Sequence, residues 1–391
     1  MQTHGPAFGL TEDNAELLWP PGSAPSARGS LYDAARARLT ALHPGYLRLL
    51  INWAALQPER DRPANLQAPT DGCARSVGPC AGYGGVRAEL AAIAASQRAA
   101  RAEGREGFEV VLDLLGVPAW AAAPPSGCEL DGTQPFSRPL NEGGLAGYRA
   151  LIGSLLALAR EGGVALRWWS PWNEPNDAVF LSPQRAACSV DSPSLAPAVY
   201  AQLAEAMADA LAADGGEHHL LLGELNAFPT DSPHRTSIAS FVAGLPERVL
   251  CLGKVWSIHA YARWGEAGPG RDPVAELERA LDARGSCARG AQVWVTEAGA
   301  GAPHPGRKRP EGQAAQRAGC VALSRQLARW ARDPRVGAIF QYSFREDPAF
   351  PVGLLSADLQ RVYAPYRLWS HYVATSASDA GGPAAPAAAC A

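Results

Sequence analysis

The sequence predicts an α/β protein built as a single (β/α)8 TIM barrel, with long βα loops gathered on one face. Eight short apolar runs alternate with eight amphipathic segments along 391 residues. Strict alternation implies a parallel sheet, and eight repeats close it into a barrel. The open, doubly wound alternative wants a GxGxxG turn after its first strand, and HGPAFGLTED contains none. Acids, hydrogen-bonding groups and flat rings recur where the runs end, which is where barrels collect their functional side chains.

In chain order, strands are expected at residues 6–10, 46–53, 108–115, 166–172, 219–224, 254–260, 292–297 and 337–343, each short, apolar and bounded by turn residues. Helices are expected between them at about 30–43, 85–104, 194–214, 237–247, 273–284, 312–332 and 364–374. One more lies in GLAGYRALIGSLLALAREGG, where Leu145, Tyr148, Leu151, Ile152, Leu155 and Leu156 recur at helical spacing. The connections 54–84, 116–142 and 175–193 are long and rich in Pro, Gly and Cys, and long loops on one barrel face build a cleft. The barrel is assigned to residues 1–374. Residues 375–391, low-complexity Ala, Pro and Gly, are expected to be disordered, with Cys390 outside the fold.

With 47% hydrophobic and 19% charged residues the chain buries a large core, and no apolar run is long enough to span a bilayer. A formal charge of −3 provides no basic footprint for nucleic acid or membrane, so the expected partner is an uncharged molecule bound by a monomer. Among eight cysteines, Cys73 and Cys80 share one loop, Cys128 and Cys188 fall in loops after successive strands, and Cys251 and Cys287 each precede a strand. None has CxxC or metal-ligand spacing. Loop cysteines so placed favour disulfides and a secreted or periplasmic location; Cys251–Cys287 is the preferred pair and Cys73–Cys80 a local one. The opening MQTHGPAFGL has neither a charged segment nor an apolar core, so a leader already removed is the expectation that fits.

The most informative stretch is RWWSPWNEPND, residues 167–177. An aromatic run ends in Asn173-Glu174-Pro175, so Glu174 sits where a buried strand emerges and Pro175 prevents its continuation. VWVTEAGAG repeats the arrangement, with Glu297 at the end of a β-branched run before a Gly-rich turn. Other strand ends supply Arg48, Asn52 and Trp53; Asp113 and, beyond it, Trp120; Trp172; Glu224 and Asn226; His259, Tyr261, Arg263 and Trp264; and Gln341 with Tyr342. Two strand-end acids among hydrogen-bonding groups and rings suit a sugar, whose hydroxyls need directed hydrogen bonds and whose C–H faces pack on Trp or Tyr. Trp53, Trp120, Trp172 and Trp264 are candidates for stacking or for closing the core beneath the loops. Glu224 is a candidate for substrate binding, for pairing with an arginine, or for the acid itself should the fourth strand be misplaced. His218-His219 precedes a strand on the opposite face and lacks ligand spacing, so no metal site is expected.

On these residues the chain resembles clan A of the glycoside hydrolases, retaining enzymes built on a (β/α)8 barrel with Asn-Glu at strand 4 and Glu at strand 7. The resemblance covers roughly residues 6–372, and LLGVPAW and FREDPAFPVGLL look most like members of families 5 and 39. It implies Glu174 as acid/base, Asn173 as the ligand of the sugar 2-hydroxyl and Glu297 as nucleophile. Arg48 and Tyr261 match positions that contact the nucleophile, and His259 matches the strand-6 histidine. The clan places Trp on strand 8, whereas FQYSF offers Tyr342. The implied activity is hydrolysis of a β-glycosidic bond with no cofactor, an α-L-arabinofuranoside being the alternative substrate of the same stereochemical class. A catalytically silent carbohydrate-binding barrel is the alternative from another class, and retention of both acids and their supports argues against it.

Overall fold

The computed structural model describes residues 5–12, 29–68, 85–263, 271–285, 287–301, 309, 312–347, 350–376 and 388–390. Eight strands form the barrel: β1 (Ala7–Thr11), β2 (Tyr46–Asn52), β3 (Glu109–Leu115), β4 (Trp168–Ser170), β5 (His219–Asn226), β6 (Val255–His259), β7 (Gln292–Ala298) and β8 (Val336–Tyr342). Every neighbouring pair is parallel, and β1 pairs with both β2 and β8, closing the sheet. The connecting helices are α1 (Gly29–Ala41), α2 (Gly85–Ala102), α3 (Gly144–Gly162), α4 (Ala196–Asp214), α5 (Ile238–Gly244), α6 (Pro273–Arg284), α7 (Gln313–Trp330) and α8 (Ala364–Ser376). The predicted alternation is the observed one.

Period-two alternation sends opposite faces of each strand to different places. Leu47, Leu49, Val110, Leu112, Val293 and Val295 face the helices in the main apolar core. Inside the barrel, Val111, Leu221, Val255, Trp294, Ala338 and Phe340 form a separate cluster, with Tyr46 and Trp168 packed against it. Ring centroids there lie 4.7 Å apart for Tyr46–Trp294 and 4.4 Å for Trp168–Trp294, so aromatic side chains plug the end from which the strands start. Gly9 is part of this packing, since a Cβ there would lie 2.4 Å from the Phe340 ring. Two residues further along the same inward faces come Arg48, Asp113, Ser170, Ser257 and Thr296, all fully buried. The barrel is thus apolar at its base and polar above.

Three differences from expectation have local causes. Only Trp168–Ser170 pair in β4, because Pro171 follows with no N–H for the ladder and the chain turns off toward Glu174. Short helices at Trp53–Leu56 and Glu247–Leu250 and a paired two-residue strand, Ala262–Arg263 with Ala300–Gly301, were not foreseen. Cys390 is not outside the fold: it is 2% exposed and bonded to Cys320 of α7, tying the chain's end to the barrel wall. Residues 377–387 and the pair Cys73–Cys80 lie outside the described residues.

The expected Cys251–Cys287 bridge is present, and Cys128–Cys188 joins the loops after β3 and β4. Bridges of this kind fit an oxidising compartment. Among the described residues no helix is long and apolar enough to cross a membrane. The Cys320–Cys390 bridge closes a separation of 70 residues, so Cys390→Ser should cost about 2–4 kcal/mol in urea unfolding. An unchanged midpoint, or a non-reducing peptide map in which these two cysteines are not linked, would contradict the bridge.

Candidate active site

Arg48 stands at the centre of the polar layer and is completely buried. Its Nη1 donates to Glu297 Oε1 at 2.8 Å, and its Nη2 faces Asp113 Oδ2 at 2.6 Å, Asn173 Oδ1 at 3.0 Å and Glu224 Oε2 at 3.1 Å. Burial disfavours the guanidinium charge, but Glu224, Asp113 and Glu297 hold its pKa well above the ordinary arginine value. Asp113 behaves oppositely, since burial pushes its carboxyl well above the usual carboxylate range in spite of Arg48. One arginine therefore orients groups from β3, the turn after β4, β5 and β7 together.

Glu297 ends β7 with Tyr261 donating its hydroxyl to Oε2. Burial and the Glu297 charge raise the Tyr261 phenol, which keeps its proton and remains a donor. Glu174 reaches the same space from the turn after β4. Its Oε1 lies 2.8 Å from His259 Nδ1, and its Oε2 accepts from Asn226 Nδ2 at 3.2 Å. Glu174, His259 and Glu297 form the one such group of acids and histidine among the described residues, each offering an atom within 4.8 Å of the others. The two carboxylates therefore face each other closely.

Glu224 is the residue whose position sequence reasoning leaves most open, and the structure resolves it. The ladder between β5 and β6 shifts register between Leu222 and Leu225, a bulge that turns Glu224 into the barrel. Gly223 makes the bulge possible: it has φ 103°, and a Cβ there would lie 2.6 Å from the Ser257 carbonyl oxygen. The Tyr200 hydroxyl accepts from the Gly223 N–H at 2.8 Å, and the Ser257 hydroxyl accepts from the Glu224 N–H at 2.7 Å. Glu224 Oε2 then accepts from Thr296 Oγ1 at 2.6 Å and lies 2.7 Å from His259 Nε2. Burial raises this carboxyl, but Arg48 and the His259 contact outweigh it and hold the group at about 2. Glu224 is fully buried, whereas Glu174 is partly exposed.

His259 thus bridges Glu174 and Glu224 through its two ring nitrogens. Burial lowers its pKa, yet Glu297, Glu174 and Glu224 raise it from 6.5 to about 10. Both nitrogens then carry hydrogen and donate. Glu174 and Glu224 are also joined through the backbone, where the Glu174 N–H donates to the Glu224 carbonyl at 3.0 Å. Both adopt the left-handed conformation, with φ 40° and 51°, unusual for non-glycine residues and typical of functional sites.

The aromatic candidates divide. Trp53 and Trp172 are fully buried and present no face to a ligand; their indole N–H groups bond Gln57 and the Phe180 carbonyl. So packed, they close the core beneath the loops. Trp120 is half-buried, bonded to the Gln57 carbonyl and edge-on to Trp53. Tyr342 is half-buried, with its ring 5.5 Å from Phe350, whose ring lies 5.2 Å from Tyr261. Phe350, Thr296, Ser257 and Tyr200 had not been singled out. Thr296 was legible as the inward neighbour of Glu297's strand; the other three carry no local signal. Arg263 lies in the short strand with Ala262, and Trp264 lies outside the described residues.

No protein-family model matches the sequence, and no curated protein matches it. Solved structures do. A family 39 glycoside hydrolase from the gut symbiont Bacteroides cellulosilyticus WH2 aligns with TM-score 0.53 at 16% identity, covering 96% of this chain and 64% of that one. A GH5_18 protein from Streptomyces cattleya in complex with GlcNAc aligns with TM-score 0.54 at 16% identity, covering 97% and 82%. The catalytic domain of GH30 xylanase C from Talaromyces cellulolyticus gives TM-score 0.54 at 11% identity, covering 95% and 75%. The chain spans less than two thirds of the first of these. At such identities the likeness shows the shared barrel fold.

The pKa shifts set the sign of a stability dependence. A histidine raised from 6.5 to about 10 contributes stability that is full below about 6.5 and lost as pH rises through about 10. Glu224, lowered from 4.5 to about 2, contributes stability that is present above about 4.5 and lost as pH falls through about 2. Melting temperature should therefore fall between about pH 7 and 10, and His259→Gln should flatten that limb. Equal slopes in the two proteins would refute the charged imidazole.

Proposed function

We propose that the protein is a retaining glycoside hydrolase of clan A, with Glu297 as nucleophile and Glu174 as acid/base. The observation that carries this reading is the close approach of the two carboxylates, an oxygen of each lying within 4.8 Å of the other at the ends of β7 and β4. Retaining enzymes hold their acids about 5–5.5 Å apart, whereas inverting enzymes leave about 6.5–9.5 Å for a water. The barrel shared with structures of families 39, GH5_18 and GH30 supports the same reading.

In this mechanism Arg48 and Tyr261 fix the two oxygens of Glu297, which attacks the anomeric carbon. Glu174 gives its proton to the departing oxygen, and a covalent glycosyl enzyme forms. Glu174 then takes a proton from water, which hydrolyses the ester. Asn173 spends its carbonyl oxygen on Arg48, leaving its amide hydrogens to donate to the sugar 2-hydroxyl. The substrate class is a β-glycoside in an oligo- or polysaccharide. The three disulfides support action outside the cytoplasm.

Two measurements test the roles on whichever aryl glycoside a panel shows to be cleaved. Early-time NMR should find the first product with retained anomeric configuration; an inverted product removes the nucleophile assignment. Glu297→Ala should abolish turnover of every substrate. Glu174→Ala should lose about 10²–10⁴-fold on poor leaving groups yet still form the glycosyl enzyme from a dinitrophenyl glycoside, with azide restoring turnover as a β-configured adduct. A binding-only barrel would turn over nothing before mutation.

A further inference from the structure

The proposed reaction moves a negative charge through a buried site, and the site's cations have to serve it both before and after. In the proposed mechanism Glu297 starts as the attacking anion and Glu174 as the acid that gives up a proton, with the Arg48 guanidinium and the His259 ring beside them. After attack Glu297 is an uncharged ester and Glu174, having given its proton to the leaving oxygen, is the anion. The negative charge has passed from β7 to the turn after β4. In a buried site an anion left without a counter-ion is costly.

Arg48 bonds Glu297, whereas His259 Nδ1 lies 2.8 Å from Glu174 Oε1 and 3.4 Å from Glu297 Oε2 and so reaches both carboxylates. We infer that His259 is the counter-ion shared by the two reacting carboxylates, and that Glu224 is the positioning residue that keeps its ring charged and in place. This rests on the roles proposed for Glu174 and Glu297. The charged and titratable groups around the ring are Glu174 after β4, Glu224 on β5, Glu297 on β7, Arg48 on β2 with Asp113 beyond it on β3, and Tyr261 after β6. Glu224, bonded to Thr296 and His259, takes no part in the proton transfer, so its charge is the same before and after. Its grip is double, since Oε2 holds the imidazole at 2.7 Å while its carbonyl holds the Glu174 N–H at 3.0 Å. The bulge at Gly223 has its functional meaning here: it places in the barrel an anion that never meets substrate.

Nitrogen-15 NMR of the unmutated protein, with the His259 signal identified by its loss in His259→Gln, should show both ring nitrogens protonated at neutral pH. A single-tautomer neutral ring at pH 7 overturns the inference without any variant of Glu224. In Glu224→Gln the imidazole should deprotonate at least about one pH unit lower, a tenfold change in its equilibrium constant. The alkaline limb of kcat/KM should move down in parallel for a glycoside with a poor leaving group, and much less for glycosyl-enzyme formation from a dinitrophenyl glycoside. A merely structural role would lower the melting temperature and leave that limb where it was, which also overturns the inference. Failure of the underlying mechanism has another signature: Glu174→Ala keeps full activity on poor leaving groups while the His259 spectrum is as expected. That result removes the shared role and leaves the charged ring standing.

Discussion

The fold and the site both depend on a single buried guanidinium. Arg48 lies on an inward face of β2, directly above the aromatic plug, and touches Glu297, Asp113, Asn173 and Glu224. Four side chains from four different elements are thereby fixed around one planar fork. Removing one partner of such a buried set leaves an uncompensated charge, at a cost of about 3–5 kcal/mol. The polar layer is consequently all-or-none. The core below it does not share that vulnerability, because its apolar rings are non-directional.

Local strain follows from the same constraint. Glu174 and Glu224 occupy left-handed backbone conformations that cost about 1–3 kcal/mol each. Each has a specific restraint: the Glu174 N–H is held by the Glu224 carbonyl, and the Glu224 N–H by the Ser257 hydroxyl. The strain turns both side chains away from the strand direction and toward His259, so backbone geometry sets which oxygens meet the imidazole. Glu174 and Glu224 are therefore tied together through both backbone and imidazole.

Much of this is legible in the sequence because period and punctuation are local signals. Strands β2, β3 and β7 are found to within a residue, since Leu, Val and Ile alternate with the inward Arg48, Asp113 and Thr296. Asn173-Glu174-Pro175 is legible because proline ends a strand by chemistry alone. What is not legible depends on partners distant in the chain. A glycine before Glu224 hints at a bulge, but its depth is set by Tyr200, Ser257 and Thr296. Trp53 and Trp172 sit at strand ends like stacking residues, and only three-dimensional packing reveals that they are sealed off. The tail's composition is that of a disordered segment, and a covalent bond to α7 nonetheless holds Cys390 against the barrel.

The central claim is that Arg48 and Tyr261 present the Glu297 carboxylate for covalent attack. The most direct test is to trap the ester with a 2-deoxy-2-fluoro glycoside bearing a good leaving group and locate the label by peptide mass spectrometry. The account predicts one equivalent of sugar, on the β7 peptide, attached to Glu297. Attachment to Glu174, or steady turnover in which no labelled peptide ever accumulates, would contradict it.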